Sequence, residues 1–208
     1  KGDATNLVEY CDLVPERIMG IVTELCDSAE ISIDMVDIIG LGLAGASHKP
    51  GRELLFHLLE KVGLAQRALI INDAEAAFKV SCPTSPGFLV TVGTGAICLG
   101  RDINGNSFRT GGLGHGEDGD IGSGYWLGKN LLMHLALNES SLSIDKDLSV
   151  FNNKLIRKTE SKDFTSAIEK ITYSEHKVLM IASLAKTICE FAERGNDLAL
   201  ALIQEATQ

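Results

Sequence analysis

Residues 88–128 gather the groups that could do chemistry. Twelve of the chain's 21 glycines fall there, and those at 111–128 enclose a cluster of three carboxylates, Glu117, Asp118 and Asp120. An apolar run at 88–92 breaks at Gly93-Thr94-Gly95, and a second run at 96–99 leads toward Asn104-Gly105. Asn-Gly between extended runs predicts a type I′ hairpin turn, because that turn needs positive φ at both central residues. Gly93-Thr94-Gly95 then sits at the corner of a strand pair, where missing Cβ atoms let backbone N–H groups approach an anion such as a phosphate. A plain tight turn fits that tripeptide as well. The second cluster says more: residues 111–128 hold 8 glycines and run directly into Tyr125, Trp126 and Leu127. Flexible linkers are padded with Ser and lack large apolar residues, so a rigid loop close to a polar ligand is the better reading.

A fourth carboxylate, Asp73, follows the apolar run at 68–71 and precedes a helix predicted at 74–80. It has two readings: cap of that helix, or general base at a strand tip. The elements that must position these groups alternate. Thr5 or Asn6 is read as the cap of a helix with Leu7, Cys11, Val14, Ile18, Ile21, Val22 and Leu25 inward, at spacings of 3 and 4. Residues 36–41 read as a strand buried on both faces, ending in the small-residue loop 42–46. A helix at 52–66 and a second buried strand at 68–71 follow. Helix–strand–helix–strand implies a parallel sheet, whose ligands bind beyond the strands' carboxyl ends, where Gly42, Ala46, Asn72 and Asp73 lie. Turn formers at 81–87 mark a boundary, giving units 1–82 and 87–208. Beyond it, helices are expected at 129–138, 148–158, 164–171, 176–194 and 197–206.

Composition excludes several classes. A net charge of −9 with a pI near 5.0 argues against nucleic acid and anionic membranes as partners. No apolar run reaches the ~18 residues of a membrane span, and no signal peptide is evident. The five cysteines never form a C-x-x-C pair and read as reduced thiols of a cytoplasmic protein. The five histidines are dispersed, so no His-based metal site is expected.

Taken in order, the motifs resemble the N-acetylglucosamine kinase branch of the actin-like ATPase superfamily, the group that includes BadF-type ATPases. They are Gly2-Asp3-Ala4-Thr5-Asn6, Gly40-Leu41-Gly42-Leu43-Ala44-Gly45-Ala46, Asn72-Asp73-Ala74, Gly93-Thr94-Gly95, then Gly111-Gly112-Leu113-Gly114-His115 through Gly122-Ser123-Gly124-Tyr125-Trp126-Leu127-Gly128. The resemblance spans essentially the whole chain, and the ordered set is specific although each piece alone is weak. It implies an α/β fold of two RNase H-like domains, with mixed sheets flanked by helices and a cleft between them. It implies that Asp73 takes the proton from the 6-hydroxyl of N-acetylglucosamine or glucosamine as that oxygen attacks the γ-phosphate of ATP held with Mg²⁺. Gly93, Thr94 and Gly95 would be the second phosphate loop; Asn6, Asn72, Gly112, His115 and Asp120 would hold the sugar. Relatives are commonly homodimers, an expectation the resemblance extends to this chain.

Two departures from the family pattern stand out. Ile121 replaces the acid of the usual Gly-Asp-Glu-Gly-Ser loop, and the loop is one residue longer, so Glu117 or Asp118 becomes the substitute carboxylate; Leu113 stands where Trp is frequent. The first phosphate loop and the late adenosine motif do not occur, and the expectation is a fragment of about two thirds of a full kinase. The alternatives are a BadF-type activator of an acyl-CoA dehydratase holding an iron–sulfur cluster, for which Cys98 is the sole candidate ligand, and a non-catalytic sugar-sensing relative.

Overall fold

The computed structural model describes residues 5–207 apart from 9, 85, 117 and 118. Gly2-Asp3-Ala4 of the first motif, Glu117 and Asp118 lie outside the described residues. The chain divides into two units. Unit 1 takes the described residues up to Leu89 together with Arg101–Asn106; unit 2 takes Val90–Gly100 and the described residues from Ser107 onward.

Unit 1 runs α1 (Val14–Ser28), β1 (Ile39–Leu43), α2 (Lys49–Lys61), β2 (Ala68–Asn72) and α3 (Asp73–Ser81). The strands pair in parallel, Ile39 opposite Ala68 through Leu43 opposite Asn72, with α2 as the crossover that parallel pairing requires. The first helix starts later than its apolar spacing predicts. Asn6 lies outside that helix, whose N-cap position is Leu13: the Asn6 Oδ1 accepts from the Val8 N–H at 2.8 Å, closing a local turn, and the Leu7 N–H donates to the Ala44 carbonyl at 3.0 Å. The helix begins instead at Val14, with Pro15, fixed at a helical φ and lacking an N–H, in its first turn.

The core of this unit joins Leu7, Val14, Ile18 and Val22 to Leu43, Leu55, Leu59 and Leu64. Only one face of the strands is buried there, which corrects the two-faced expectation. Ile39, Leu41 and Ile70 pack on that core, whereas Leu69 is 55 % exposed. On the opposite face α3 comes close at Gly42, where a Cβ would stand 2.9 Å from the Ala76 Cβ; at Gly40 it would meet nothing within 4 Å.

The second sheet holds β3 (Gly87–Val92), β4 (Ala96–Arg101) and β5 (Ser107–Gly111) in that order. Connections of three and five residues allow neighbours to run only antiparallel. The β4–β5 turn is not the expected type I′. Gly105 alone has positive φ, +84°, and Asn104 does not. The Asp102 carboxylate accepts from the N–H groups of Asn104 and Asn106, each at 2.8 Å, and so builds a wider loop.

Among the described residues six α-helices complete unit 2: α4 (Gly124–Leu137), α5 (Lys146–Thr159), α6 (Phe164–Thr172), α7 (Lys177–Ala182), α8 (Leu184–Ala192) and α9 (Asp197–Ala206). Leu131, Leu135, Phe151, Leu155, Ile181, Ile188 and Leu202 form their common core. The single helix expected at 176–194 is broken at Ser183. Its hydroxyl donates to the Met180 carbonyl at 2.6 Å, and Lys158 Nζ donates to the Ser183 hydroxyl and carbonyl at 2.6 and 3.1 Å. These side-chain bonds compete with continuation of the helical ladder.

Candidate functional site

In unit 1 the β1–β2 register sets the site. Leu43 opposite Asn72 brings the two strand ends level, so the loop at 44–46 and the Asn72-Asp73 pair emerge from one end of the sheet. Asn6 joins that end through its neighbour's bond to Ala44. Gly45 has φ +73°, and a Cβ there would be 2.8 Å from Asn6 Oδ1, so this loop needs glycine for conformation and for space. His48 Nδ1, donating to the Leu7 carbonyl at 3.0 Å, ties the same segment to the start of α2.

Asn72, not Asp73, caps α3. Its Oδ1 accepts from the Ala74 N–H at 3.0 Å, and Asp73 is the first helical residue. Asp73 is exposed; one oxygen accepts from the same Ala74 N–H at 2.9 Å, and the other takes no hydrogen bond among the described residues. The capping explanation of Asp73 therefore passes to its neighbour, leaving a carboxylate oxygen available at the strand tip. We expect Asn72→Ala to lower stability by about 1 kcal/mol in thermal unfolding without sugar, with Asn72→Asp retaining the cap. Equal melting temperatures for all three proteins would show that this cap is not formed.

In unit 2 the turn 93–95 is held from several sides. The Gly93 N–H donates to the Gly95 carbonyl at 2.8 Å, and the N–H groups of Gly124 and Tyr125, at the start of α4, donate to the carbonyls of Gly93 and Thr94 at 2.8 and 3.1 Å. The Thr94 and Gly95 N–H groups take no partner among the described residues. Two adjacent amides free in a clamped turn suit an anion's oxygens. The Ser123 hydroxyl, only 1 % exposed, caps α4 by accepting from the Trp126 N–H at 3.1 Å.

The loop after β5 is equally constrained. Its Gly112 N–H donates to the Ala96 carbonyl at 2.7 Å, and Arg109 Nη2 donates to the Gly112 carbonyl at 2.9 Å. The His115 ring meets Tyr125 edge-on at 4.7 Å, and its Nε2 is buried without a partner among the described residues. Such an orphaned nitrogen in a glycine loop is a place for a ligand hydroxyl. Asp120 is buried, with both oxygens on backbone amides, those of Ala96 and Leu113. The resemblance marked Asp120 for sugar hydroxyls; its bonds to the backbone, and the parts played by Ala96, Arg109 and Ser123, were not anticipated. Leu113 and Ile121, at the departures from the family pattern, are both exposed. Cys98, the candidate cluster ligand, is half-buried within β4. Among the described residues no helix is long and apolar enough to cross a membrane.

No family model matches the chain. Among characterised proteins it is 28 % identical over 179 residues to the N-acetylmuramic acid/N-acetylglucosamine kinase of Clostridium acetobutylicum, covering 85 % of this chain and 56 % of that one. It is 27 % identical over 183 residues to the N-acetyl-D-glucosamine kinase of Dictyostelium discoideum, covering 86 % and 55 %. The chain thus spans about half the length of these relatives. Two solved structures, each described as a "Putative N-acetylglucosamine Kinase", share its fold. The Chromobacterium violaceum protein matches with a TM-score of 0.74 at 21 % identity, over 99 % of this chain and 69 % of its own. The Porphyromonas gingivalis protein matches with 0.66 at 16 %, over 98 % and 65 %. The chain is thus similar in sequence to two proteins named as N-acetylglucosamine kinases and shares the fold of two solved structures described in the same terms.

Proposed function

We propose that the protein carrying this chain is an ATP-dependent hexosamine kinase acting on the 6-hydroxyl of N-acetylglucosamine or glucosamine. The observation that carries this reading is Asp73: a carboxylate at a strand tip whose capping job is done by Asn72 and which keeps one oxygen unpartnered among the described residues. In the proposed reaction the sugar oxygen O6 forms a bond to the γ-phosphorus of MgATP as the bond to the β,γ-bridging oxygen breaks. The O6 proton passes to Asp73, and ADP leaves with the electron pair of the broken bond. Phosphoryl transfer asks mainly for positioning and charge stabilisation, with one base near the nucleophile. Such a base contributes roughly 10²–10⁴-fold.

Gly93, Thr94 and Gly95 serve as a phosphate turn in this reading, with the Thr94 and Gly95 N–H groups as donors to the nucleotide's phosphate oxygens. Asn6, Asn72, Gly112, His115 and Asp120 form the sugar side, the unpartnered His115 Nε2 supporting a hydroxyl contact. We read the two units as RNase H-like domains, in line with the fold shared with the Chromobacterium violaceum protein. The names of the curated relatives support amino sugar and ATP as the substrates.

A coupled ADP-release assay on the protein carrying this sequence tests the reading, with MgATP and a panel of N-acetylglucosamine, glucosamine and N-acetylmuramic acid. The expected result is ADP release stimulated by N-acetylglucosamine or glucosamine, with a 6-phosphate product identified by NMR. No stimulation by any amino sugar would overturn the assignment.

A further inference from the structure

Two glycine-rich segments of unit 2 are tied together through one buried carboxylate. Asp120 is 7 % exposed; its Oδ2 accepts from the Ala96 N–H at 3.0 Å, and its Oδ1 accepts from the Leu113 N–H at 2.7 Å. The Ala96 carbonyl closes the circuit by accepting from the Gly112 N–H at 2.7 Å. Asp120 is itself fixed along the backbone. Its N–H donates to the Gly114 carbonyl at 3.2 Å, and its carbonyl accepts at 3.0 Å from the N–H of Ser123, the cap of α4. Gly95 supplies the room, because a Cβ there would stand 2.7 Å from Asp120 Oδ2.

We infer that Asp120 is a positioning residue for the nucleotide, coupling the loop at 111–114 to the phosphate turn at 93–95 through the Ala96 N–H. The inference rests on reading that turn as the phosphate site. Bonds from amides to a carboxylate are charge-assisted and stronger than amide–carbonyl bonds. They hold Ala96 immediately after the two amides left free, Thr94 and Gly95, while α4 holds the turn's carbonyls. An anion bound by two amides depends on their separation and direction, so slack at Ala96 passes directly to the phosphate. An aspartate that only accepted sugar hydroxyls would behave differently: its loss would weaken sugar binding and spare the nucleotide.

The test compares Asp120→Ala, Asp120→Asn and Gly95→Ala in the protein carrying this sequence. MgATP affinity is measured by calorimetry without sugar, and backbone exchange is followed by NMR. Asp120→Ala is expected to weaken MgATP binding about ten-fold or more, since two part-buried amides lose their acceptor. Asp120→Asn, whose amide nitrogen cannot accept, should lose part of that. Gly95→Ala should reproduce the loss with Asp120 still present, by displacing the carboxylate. Protection at Ala96 and Leu113 should fall together, while β1 and β2 amides keep theirs as evidence of an intact fold. Unchanged MgATP affinity in Asp120→Ala, or unchanged protection at Ala96, overturns the inference. Wild-type protein that binds MgATP but phosphorylates no hexosamine would defeat the kinase reading alone, with the nucleotide and exchange data still deciding this one.

Discussion

Asp73→Asn is expected to lower hexosamine phosphorylation by at least ~10²-fold, with hexosamine affinity and thermal stability little changed. The substitution keeps the shape of the side chain and removes its capacity to take a proton. It also separates chemistry from structure, because α3 is capped by Asn72 rather than Asp73. What Asp73 gives the helix is a second acceptor on the Ala74 N–H, which the amide oxygen of the variant can keep, and a negative charge at its first position, worth about 0.3–1 kcal/mol at an exposed site. That contribution is too small to account for a hundred-fold loss of turnover through unfolding. Steady-state kinetics with both substrates varied, beside a thermal melt, would decide the matter. Turnover within a few-fold of wild type would reduce Asp73 to the first residue of α3, and the search for a base would move elsewhere.

The parts of the fold that were legible in the sequence are those fixed by local chemistry. The helix expected at 197–206 is observed as α9 at Asp197–Ala206, and the structure adds its cap, Asn196, which accepts from the Ala199 N–H at 2.9 Å. The alternation of apolar runs at 36–41 and 68–71 with helices announced a parallel pair, observed as β1 and β2. Misreadings arose where a side chain spends its hydrogen bonds on a distant or competing partner. Asn6 has the right type for a helix cap, but Leu7 beside it is bound to Ala44, far along the chain, and that bond selects a turn. Periodicity carries 176–194 as one helix; Lys158, from another helix, supplies the bonds that accompany its break at Ser183.

The candidate site follows the same division. Glycines at 93, 95, 111 and 112 are visible as types, and so is a lone aspartate among them. That Asp120 reaches Ala96, 24 residues earlier, is a consequence of tertiary structure with no local signature. One signal was available: a Gly at 95 leaves space on a turn for some group, and a small polar side chain from the facing loop is the kind of group that fits. The exchange of capping duty between Asn72 and Asp73 could not be told from the sequence, since both residue types cap and they are adjacent.

Glycine substitutions in two helices should move stability in opposite directions, and what a Cβ would meet decides the sign. Gly20 lies mid-way along α1, exposed, with nothing within 4 Å of an added Cβ. Gly20→Ala should stabilise the protein by about 0.5–1 kcal/mol, the usual gain from removing a glycine's conformational freedom in a helix. Gly124 and Gly128 instead share one face of α4, turned to α7. A Cβ on Gly124 would sit 3.1 Å from the Ala182 carbonyl oxygen, and one on Gly128 would collide with the Ile181 carbonyl and lie 3.0 Å from Ile181 Cγ2. A backbone carbonyl inside a helix cannot rotate away, so α4 and α7 must part. Gly128→Ala should therefore cost up to about 3 kcal/mol, the overpacking loss exceeding the gain in helix propensity. Because the first turn of α4 also holds the carbonyls of Gly93 and Thr94, MgATP affinity should fall in this variant and stay at the wild-type level in Gly20→Ala. Urea unfolding followed at amides of each unit, with nucleotide titrations alongside, would read both effects. A Gly128→Ala protein as stable as wild type would mean that α4 and α7 do not approach closely enough to need glycine, and that the clamp on the turn is looser than described.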